Sequence, residues 1–397
     1  MAETIKYFFP DNWIRYDGSK ILNALTKANA AVLSLTKIPY QRSWVDQLQV
    51  AQLKREVAGT SRIEGADFTD KELDAAMSAT LEQLYTRSQK QAAAAKATYQ
   101  WIAALPRDRP VNEQLIRDIH TRIITGADDD HCPPGKLREQ NINVNFGVPP
   151  HRGVEGGAEC ERAFGELCRA VRQEFREHDA LVQALALHYH FAAMHPFEDG
   201  NGRTARALES LMLQRQGLSD TLFIAMSNYY YEEKINYLKT LAAVRASSHD
   251  LTTFLNFGLR GVELQCSKLF DEIKKNVAKA LFRNTMFDLF EKLKSDRKRV
   301  IAKRQIALLK LLLDADSSLM ELVDKTVASY TKLKNPAKAI IRDLNYLIEL
   351  GAISWDRPDG KSYRFFVRLE WPTQITESKF FKTIKELPKS KTLRFPT

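Results

Sequence analysis

The sequence predicts a mainly α protein: a helical core with one short β-hairpin, then a small module of helices and two strands. Three observations carry this. Apolar residues recur at helical spacing, as in the stripe Leu115, Ile116, Ile119 and Ile123. Strand-like signals are confined to Gln140–Gly147, Ala352–Trp355 and Tyr363–Val367. A length of 397 residues, 44% hydrophobic and 27% charged, suits two or three globular domains with a sizeable core.

Taken in order, Val45 to Val57 and Asp70 to Leu105 read as helices flanking Thr60–Gly65, with Thr69 and Glu72 patterned as a capping box. Pro106 and Pro110 break the pattern, and Asn112 to Ile124 restores it. Thr125 to Gly157 is rich in Gly, Pro, Asn and Asp, so it reads as a long loop enclosing the alternating run Gln140–Gly147. Leu181 to Met194 is strongly apolar and should be a buried helix that delivers His195 to a pocket. His188 and His190 lie on different faces of it, and His190 and His195 are five apart. That is not the i, i+4 spacing of a zinc helix, so both are expected to be hydrogen-bonded core residues. Ser227 to Tyr237 supplies tyrosines at helical spacing. In the last quarter Arg304 to Leu313 is a helix, and Asn335-Pro336 opens another, Ala337 to Leu350, closed by Gly351. The two strand-like runs complete that module.

The chemistry concentrates in His195-Pro-Phe-Glu-Asp-Gly-Asn-Gly-Arg-Thr-Ala-Arg206. Gly200 and Gly202 let the backbone approach an anion closely. From Gly202 onward the residues read as the first turns of a helix, whose free N–H groups and dipole favour negative charge. Arg203 and Arg206, three apart, can fork onto phosphate oxygens from neighbouring turns. Asp199 is a hard oxygen ligand suited to Mg²⁺ between phosphates, and His195 is the residue that titrates nearest neutrality, hence the general base. Together these form a phosphate-handling site.

The same stretch matches the Fic-domain motif, His-x-Phe-x-Asp/Glu-Gly-Asn-Gly-Arg-x-x-Arg, at every defined position. The resemblance implies transfer of AMP from ATP to a Ser, Thr or Tyr hydroxyl of a target protein. His195 would deprotonate the hydroxyl, Phe197 would anchor the loop and Asp199 would hold Mg²⁺. The nucleotide would be bound along Gly200, Asn201, Gly202, Arg203, Thr204, Ala205 and Arg206, the two arginines taking the β and γ phosphates. Thr60-Ser-Arg-Ile-Glu64-Gly65 resembles the family's inhibitory signature, Ser/Thr-x-x-x-Glu-Gly/Asn. The resemblance implies that Glu64 pairs with Arg206 and competes with the γ-phosphate for it, and breaking a buried pair of that kind costs about 3–5 kcal/mol. Ile142, Asn143, Val144 and Asn145 resemble the family's flap, a hairpin that docks target backbone by strand addition; an ordinary surface hairpin is the alternative. Tyr230 and Tyr237 resemble tyrosines that line the adenosine pocket, with core packing the alternative.

On this reading residues 1–105 are an N-terminal helical region containing the inhibitory segment 60–65, and 106–262 are the Fic core. Residues 263–296 are connecting helices, 297–371 resemble a winged helix-turn-helix, and 372–397 are a basic tail. Residues 301–397 hold 18 Lys+Arg against 11 Asp+Glu, a net +7 of the chain's +10. That permits DNA contact, although Lys332, Lys334, Lys338 and Arg342 equally suit a solvated helix face. The expected partners are ATP and a target protein, with a homodimer and DNA left open. No apolar run reaches about 18 residues, so no membrane span is expected. The start lacks a signal-peptide pattern, and Cys132, Cys160, Cys168 and Cys266 form no framework, which fits the cytoplasm. An AMP transferase restrained by Glu64 is the leading function. A DNA-binding regulator using the core as a nucleotide sensor, or removal of AMP by the same site, are the alternatives.

Overall fold

A computed structural model describes residues 5–37, 42–147, 149–215, 224–293, 296–331, 333–358, 360 and 362–386. The chain divides into two units, 1–270 and 271–397. The first begins with β1 (Ile5–Lys6), α1 (Gly18–Lys37), α2 (Arg42–Ile63), α3 (Asp70–Ser78), α4 (Arg87–Ala103) and α5 (Glu113–Ile124). Thr69 and Glu72 form the expected capping box at α3. The single helix expected over 70–105 is two, because Ala79 turns extended and a second capping box, Thr86 with Gln89, starts α4. Asn112 caps α5 through the Leu115 N–H, and Leu115, Ile116, Ile119 and Ile123 are buried as their spacing predicts.

The long loop carries β2 (Asn145–Phe146) and β3 (His151–Arg152), an antiparallel hairpin with Phe146 opposite His151. β1 joins it in parallel on the far side of β3, so the sheet order is β1-β3-β2 and β2 is an edge strand. The sequence reading did not contain this N-terminal strand. Then follow α6 (Ala158–Arg172), α7 (Ala180–Met194), α8 (Asn201–Leu213), α9 (Met226–Glu232), α10 (Lys234–Ala246) and α11 (Thr252–Glu291), the last crossing the boundary between units. Helix α7 is buried along nearly its whole length and packs chiefly on α8. Its apolar composition all round is what such a central position requires. His188 and His190 are fully buried and hydrogen-bonded, His188 to Glu209 and Tyr237, His190 to the Trp13 carbonyl.

In the second unit α12 (Asp296–Asp314), β4 (Ser317–Ser318), α13 (Leu319–Tyr330), α14 (Pro336–Glu349), β5 (Ile353–Asp356) and β6 (Arg364–Val367) are followed by α15 (Trp371–Gln374) and α16 (Glu377–Glu386). The sheet order is β4-β6-β5, both pairings antiparallel. Asn335 caps α14 with Pro336 in its first turn, and Gly351 takes φ +75 after its end. Leu308, Leu312, Leu344, Phe365, Trp371 and Phe380 build a core of this unit's own. The basic tail expected from 372 is therefore folded in part: Phe380 is buried, 5.2 Å from Phe290, because α16 presents an apolar face. Residues 387–397 and Lys332 lie outside the described residues. Lys334, Lys338 and Arg342 are exposed, as both alternatives for that face require. All four cysteines are buried free thiols.

Candidate active site

The site forms where α7 ends and α8 begins. His195 closes α7 in the left-handed region, φ 54, which turns the chain sharply toward the motif loop. Its Nδ1 lies 2.9 Å from the Ala192 carbonyl, which fixes Nδ1 as the donor and leaves Nε2 with a free lone pair. The ring is half-buried and stacks on Phe146 of the flap, 3.8 Å between centroids and 9° between planes. Burial pulls its pKa down to about 4, so the imidazole is neutral at physiological pH.

The loop between His195 and α8 is held rigidly from inside. Phe197 is fully buried and stacked on His120 at 3.7 Å, as an anchor should be. The Asn201 carboxamide closes the loop on itself, accepting from the Phe197 N–H and donating to the Phe197 carbonyl, both at 2.9 Å. His120 receives the Gly135 N–H on Nδ1, so its Nε2–H donates to the Asp199 carbonyl. Gly200 sits at φ +71 against Ile124, where a Cβ would stand 2.7 Å from Ile124 Cδ1; glycine is required for both reasons. Arg138 is 1% exposed and joins loop to flap, donating to the carbonyls of His195, Ile142 and Val154.

Helix α8 then presents its first turn. Arg203 is buried and pairs with Asp128, which also accepts from Arg87 and Gln91. Burial pushes the Asp128 carboxyl up, but Arg203 outweighs it and holds the group below its ordinary range. Asp199 caps the Gly200 N–H at 2.6 Å through Oδ1, while its Oδ2 keeps only looser neighbours, Arg203 and His131 at 3.4 Å and Arg87 at 3.9 Å. Arg206 donates through Nε to Thr60 Oγ1 at 2.9 Å and through Nη2 to Glu64 Oε1 at 2.6 Å. The Glu64 carboxylate also lies directly over Gly202, where a Cβ would collide with its Oε1. Burial raises the Glu64 carboxyl, yet Arg206 more than offsets this and holds it below its usual value. Glu64 comes from the end of α2, which is clamped onto α9: Gly59 faces the Ser227 backbone, and buried Glu56 accepts from the Ser227 N–H at 2.7 Å and Tyr99 Oη at 2.9 Å.

His195, Asp199, the 200–202 turn, Arg203, Arg206 and Glu64 are thus brought together. Two expectations are corrected. Tyr230 and Tyr237 do not line an open pocket: they are 0% and 2% exposed, stacked on each other at 4.6 Å, and bonded to Glu209 and His188. Core packing is the alternative that the structure shows. Thr204 and Ala205 lie inside α8 with buried side chains, and the Thr204 N–H is already given to the Gly200 carbonyl, so no backbone donor of Thr204 is left for a phosphate, while its buried Oγ1 has no partner among the described residues. The Arg206–Glu64 pair is also less enclosed than expected, since the Glu64 side chain is 34% exposed; solvent brings its worth below that of a fully buried pair. Asp128, Arg87, His131, His120 and Arg138 are absent from the sequence reading. Only the run Asp128-Asp-Asp-His131 carried a local signal; the rest join the site through the fold.

Asp128, His131 and Asp199 offer ligand atoms within 4.8 Å of one another. Asp128 is saturated by Arg203, Arg87 and Gln91, whereas Asp199 Oδ2 is loosely held and partly exposed. One available carboxylate beside the first turn of a helix fits Mg²⁺, which takes one or two protein carboxylates and fills its shell with other oxygens and water.

Residues 110–213 match the Fic/DOC family model. Over 151 residues the chain is 30% identical to "Protein adenylyltransferase Fic" of Nematostella vectensis, covering 37% of this chain and 31% of that protein. Over 142 residues it is 29% identical to the protein of the same name in Aedes aegypti, covering 36% and 26%. The chain thus spans about a third or less of the length of these curated relatives. The fold resembles a Fic family protein from Desulfovibrio desulfuricans, with TM-score 0.55 and 17% identity over 92% of this chain and 98% of that one. It also resembles a Fic-domain signaling protein from Bacteroides thetaiotaomicron, with TM-score 0.53 and 19% identity over 64% and 98%. Residues 110–213 of the chain thus resemble a Fic/DOC domain.

Proposed function

We propose that the chain transfers AMP from ATP to a Ser, Thr or Tyr hydroxyl of a target protein, and of itself, under restraint by Glu64. The observation that supports this most is one cluster holding a neutral, properly tautomerised base and a phosphate turn, with a carboxylate over that turn. His195 Nε2 takes the proton of the acceptor hydroxyl as its oxygen attacks the α-phosphorus. The α–β phosphoanhydride bond breaks and pyrophosphate leaves. The N–H groups of Asn201 and Gly202, in the first turn of α8, have no acceptor within the helix and would face phosphate oxygens, and Arg206 would anchor the γ-phosphate. Asp199 would hold Mg²⁺, which when bound neutralises charge on the leaving pyrophosphate. Arg203, tied to Asp128, would meet the phosphates from a fixed position. Edge strand β2, which begins at Asn145 and is preceded by Ile142 to Val144, is suited to receive target backbone by strand addition. The element order of the second unit supports reading it as a winged helix.

Glu64 sits on both groups that the γ-phosphate needs, Gly202 and Arg206. Glu64→Gly should therefore raise labelled-AMP incorporation on the order of tenfold or more, the loss of roughly 1.4 kcal/mol of competition per tenfold. Arg206→Ala should abolish that gain, the double variant resembling Arg206→Ala alone. Initial rates of incorporation from labelled ATP with Mg²⁺ and a cell extract test this. A Glu64→Gly chain no faster than native would defeat the restraint, and labelled AMP on no protein would defeat the transfer.

A further inference from the structure

Beneath the flap lies a buried cation with no counter-charge. Arg245, in the last turn of α10, is 8% exposed, and its Nε is buried without an acceptor. Among the described residues no carboxylate pairs with it, and burial pulls its pKa down to about 10. The groups that sense its charge, His151, His195, His249, Tyr189 and Tyr237, are imidazoles and phenols, none of them anionic near neutral pH. The guanidinium faces the hairpin, its carbon 5.2 Å from the Phe146 ring centroid. Arg245 Nη2 and His151 Cδ2 come within 3.3 and 3.6 Å of one point, where a Cβ on Gly147 would stand. His151 is 1% exposed, and neither of its ring nitrogens has a partner. Two buried hydrogen-bonding side chains therefore converge at one end of the flap, one ring away from His195, since Phe146 stacks on His195 and faces the Arg245 guanidinium. Such groups are unfavourable unless a ligand completes them.

We propose that Arg245 and His151 form an anion subsite on the acceptor side of His195, which takes a carboxylate carried by the target segment near its acceptor hydroxyl. The subsite deepens the transfer reading above and rests on it. Its placement separates it from the nucleotide: Arg245 contacts the hairpin that would hold target backbone, while the phosphate-binding groups belong to α8. A guanidinium takes a carboxylate by paired, charge-assisted hydrogen bonds, and His151 adds one N–H. Target segments with Asp or Glu beside the acceptor would then be chosen over neutral ones.

The test uses the full chain carrying Glu64→Gly, labelled ATP, and two matched sets of peptides with one Ser, Thr or Tyr acceptor, flanked by Glu in one set and by Gln in the other. The acidic set should be used on the order of tenfold better in kcat/KM, mainly through KM, as for a hydrogen-bonded charge pair. Adding Arg245→Gln should bring that ratio to about one and leave the KM for ATP unchanged. His151→Leu, which removes the second donor without touching the guanidinium, should lower the ratio part of the way. Equal use of the two sets, or use of neither while the chain labels itself, overturns the subsite and leaves the transfer reading standing. A ratio that survives Arg245→Gln while the ATP KM rises assigns the cation to the nucleotide and overturns it too. Label on neither peptides nor chain defeats the transfer reading, and the subsite with it.

Discussion

At the scale of single residues the site works by setting protonation states through burial. His195 has its pKa held near 4, below the ordinary imidazole value, so it stays neutral as pH falls past 6.5 and gains a proton only well below 5. The acid limb of kcat/KM, which reports the free enzyme, should therefore lie below pH 5 in the Glu64→Gly chain. A limb near 6.5 would show that the base is more solvated than the stacked ring implies. Glu56 is the opposite case: burial raises its carboxyl to about 7 from 4.5. Between those values the folded state binds more protons than the unfolded one, so stability falls as pH rises through the window. The native chain should lose more Tm from pH 5 to 8 than Glu56→Gln. Parallel melting curves for the two chains would remove Glu56 as the cause.

At the scale of elements, the restraint is a property of where α2 is clamped. Gly59 allows α2 to touch the start of α9, and a Cβ there would meet Ser227 backbone well inside contact distance. Gly59→Ala should cost about 1–3 kcal/mol as an overpacked contact, lower Tm by several degrees, and raise self-modification by loosening the helix that carries Glu64. Unchanged Tm and labelling would mean that α9 yields instead. Elements of this kind were only partly legible in the sequence. The cap at Thr69, the opening at Asn335 and the stripe of α5 could be read because their causes are local. The break at Ala79–Thr86 was missed, since a capping box inside an apolar-periodic run is easily read through. The motif loop was legible because its groups are consecutive. Arg138, Asp128 and Arg245 were not, because their roles depend on carbonyls and rings brought from other elements. Tyr230 and Tyr237 show the reverse, with helical spacing equally suited to a pocket wall or to the packed pair they form.

For the molecule as a whole, chemistry and charge are segregated. Every residue assigned to the site lies between Thr60 and Arg245, within the first unit, while most of the net positive charge lies beyond residue 300. No helix among the described residues is long and apolar enough to cross a membrane. The second unit has its own core from Phe282 to Phe380. A Glu64→Gly chain ending after residue 276 should therefore keep self-labelling within a few-fold of full length and lose retention on a cation exchanger at neutral pH. A loss of labelling beyond tenfold would show that the second unit supports the site.

The self-closed loop of Phe197 and Asn201 also bears on how the site ages. Asn201-Gly202 is the dipeptide most prone to spontaneous deamidation, because glycine leaves its own nitrogen free to attack the neighbouring carboxamide carbon. Here the carboxamide is turned away and held at both ends by Phe197, and the Gly202 nitrogen is fixed in the first turn of α8. Chemical durability at this point is thus bought by the fold. Isoaspartate should accumulate at 201 in the denatured chain and not in the native one, and peptide mapping after prolonged incubation would show the difference.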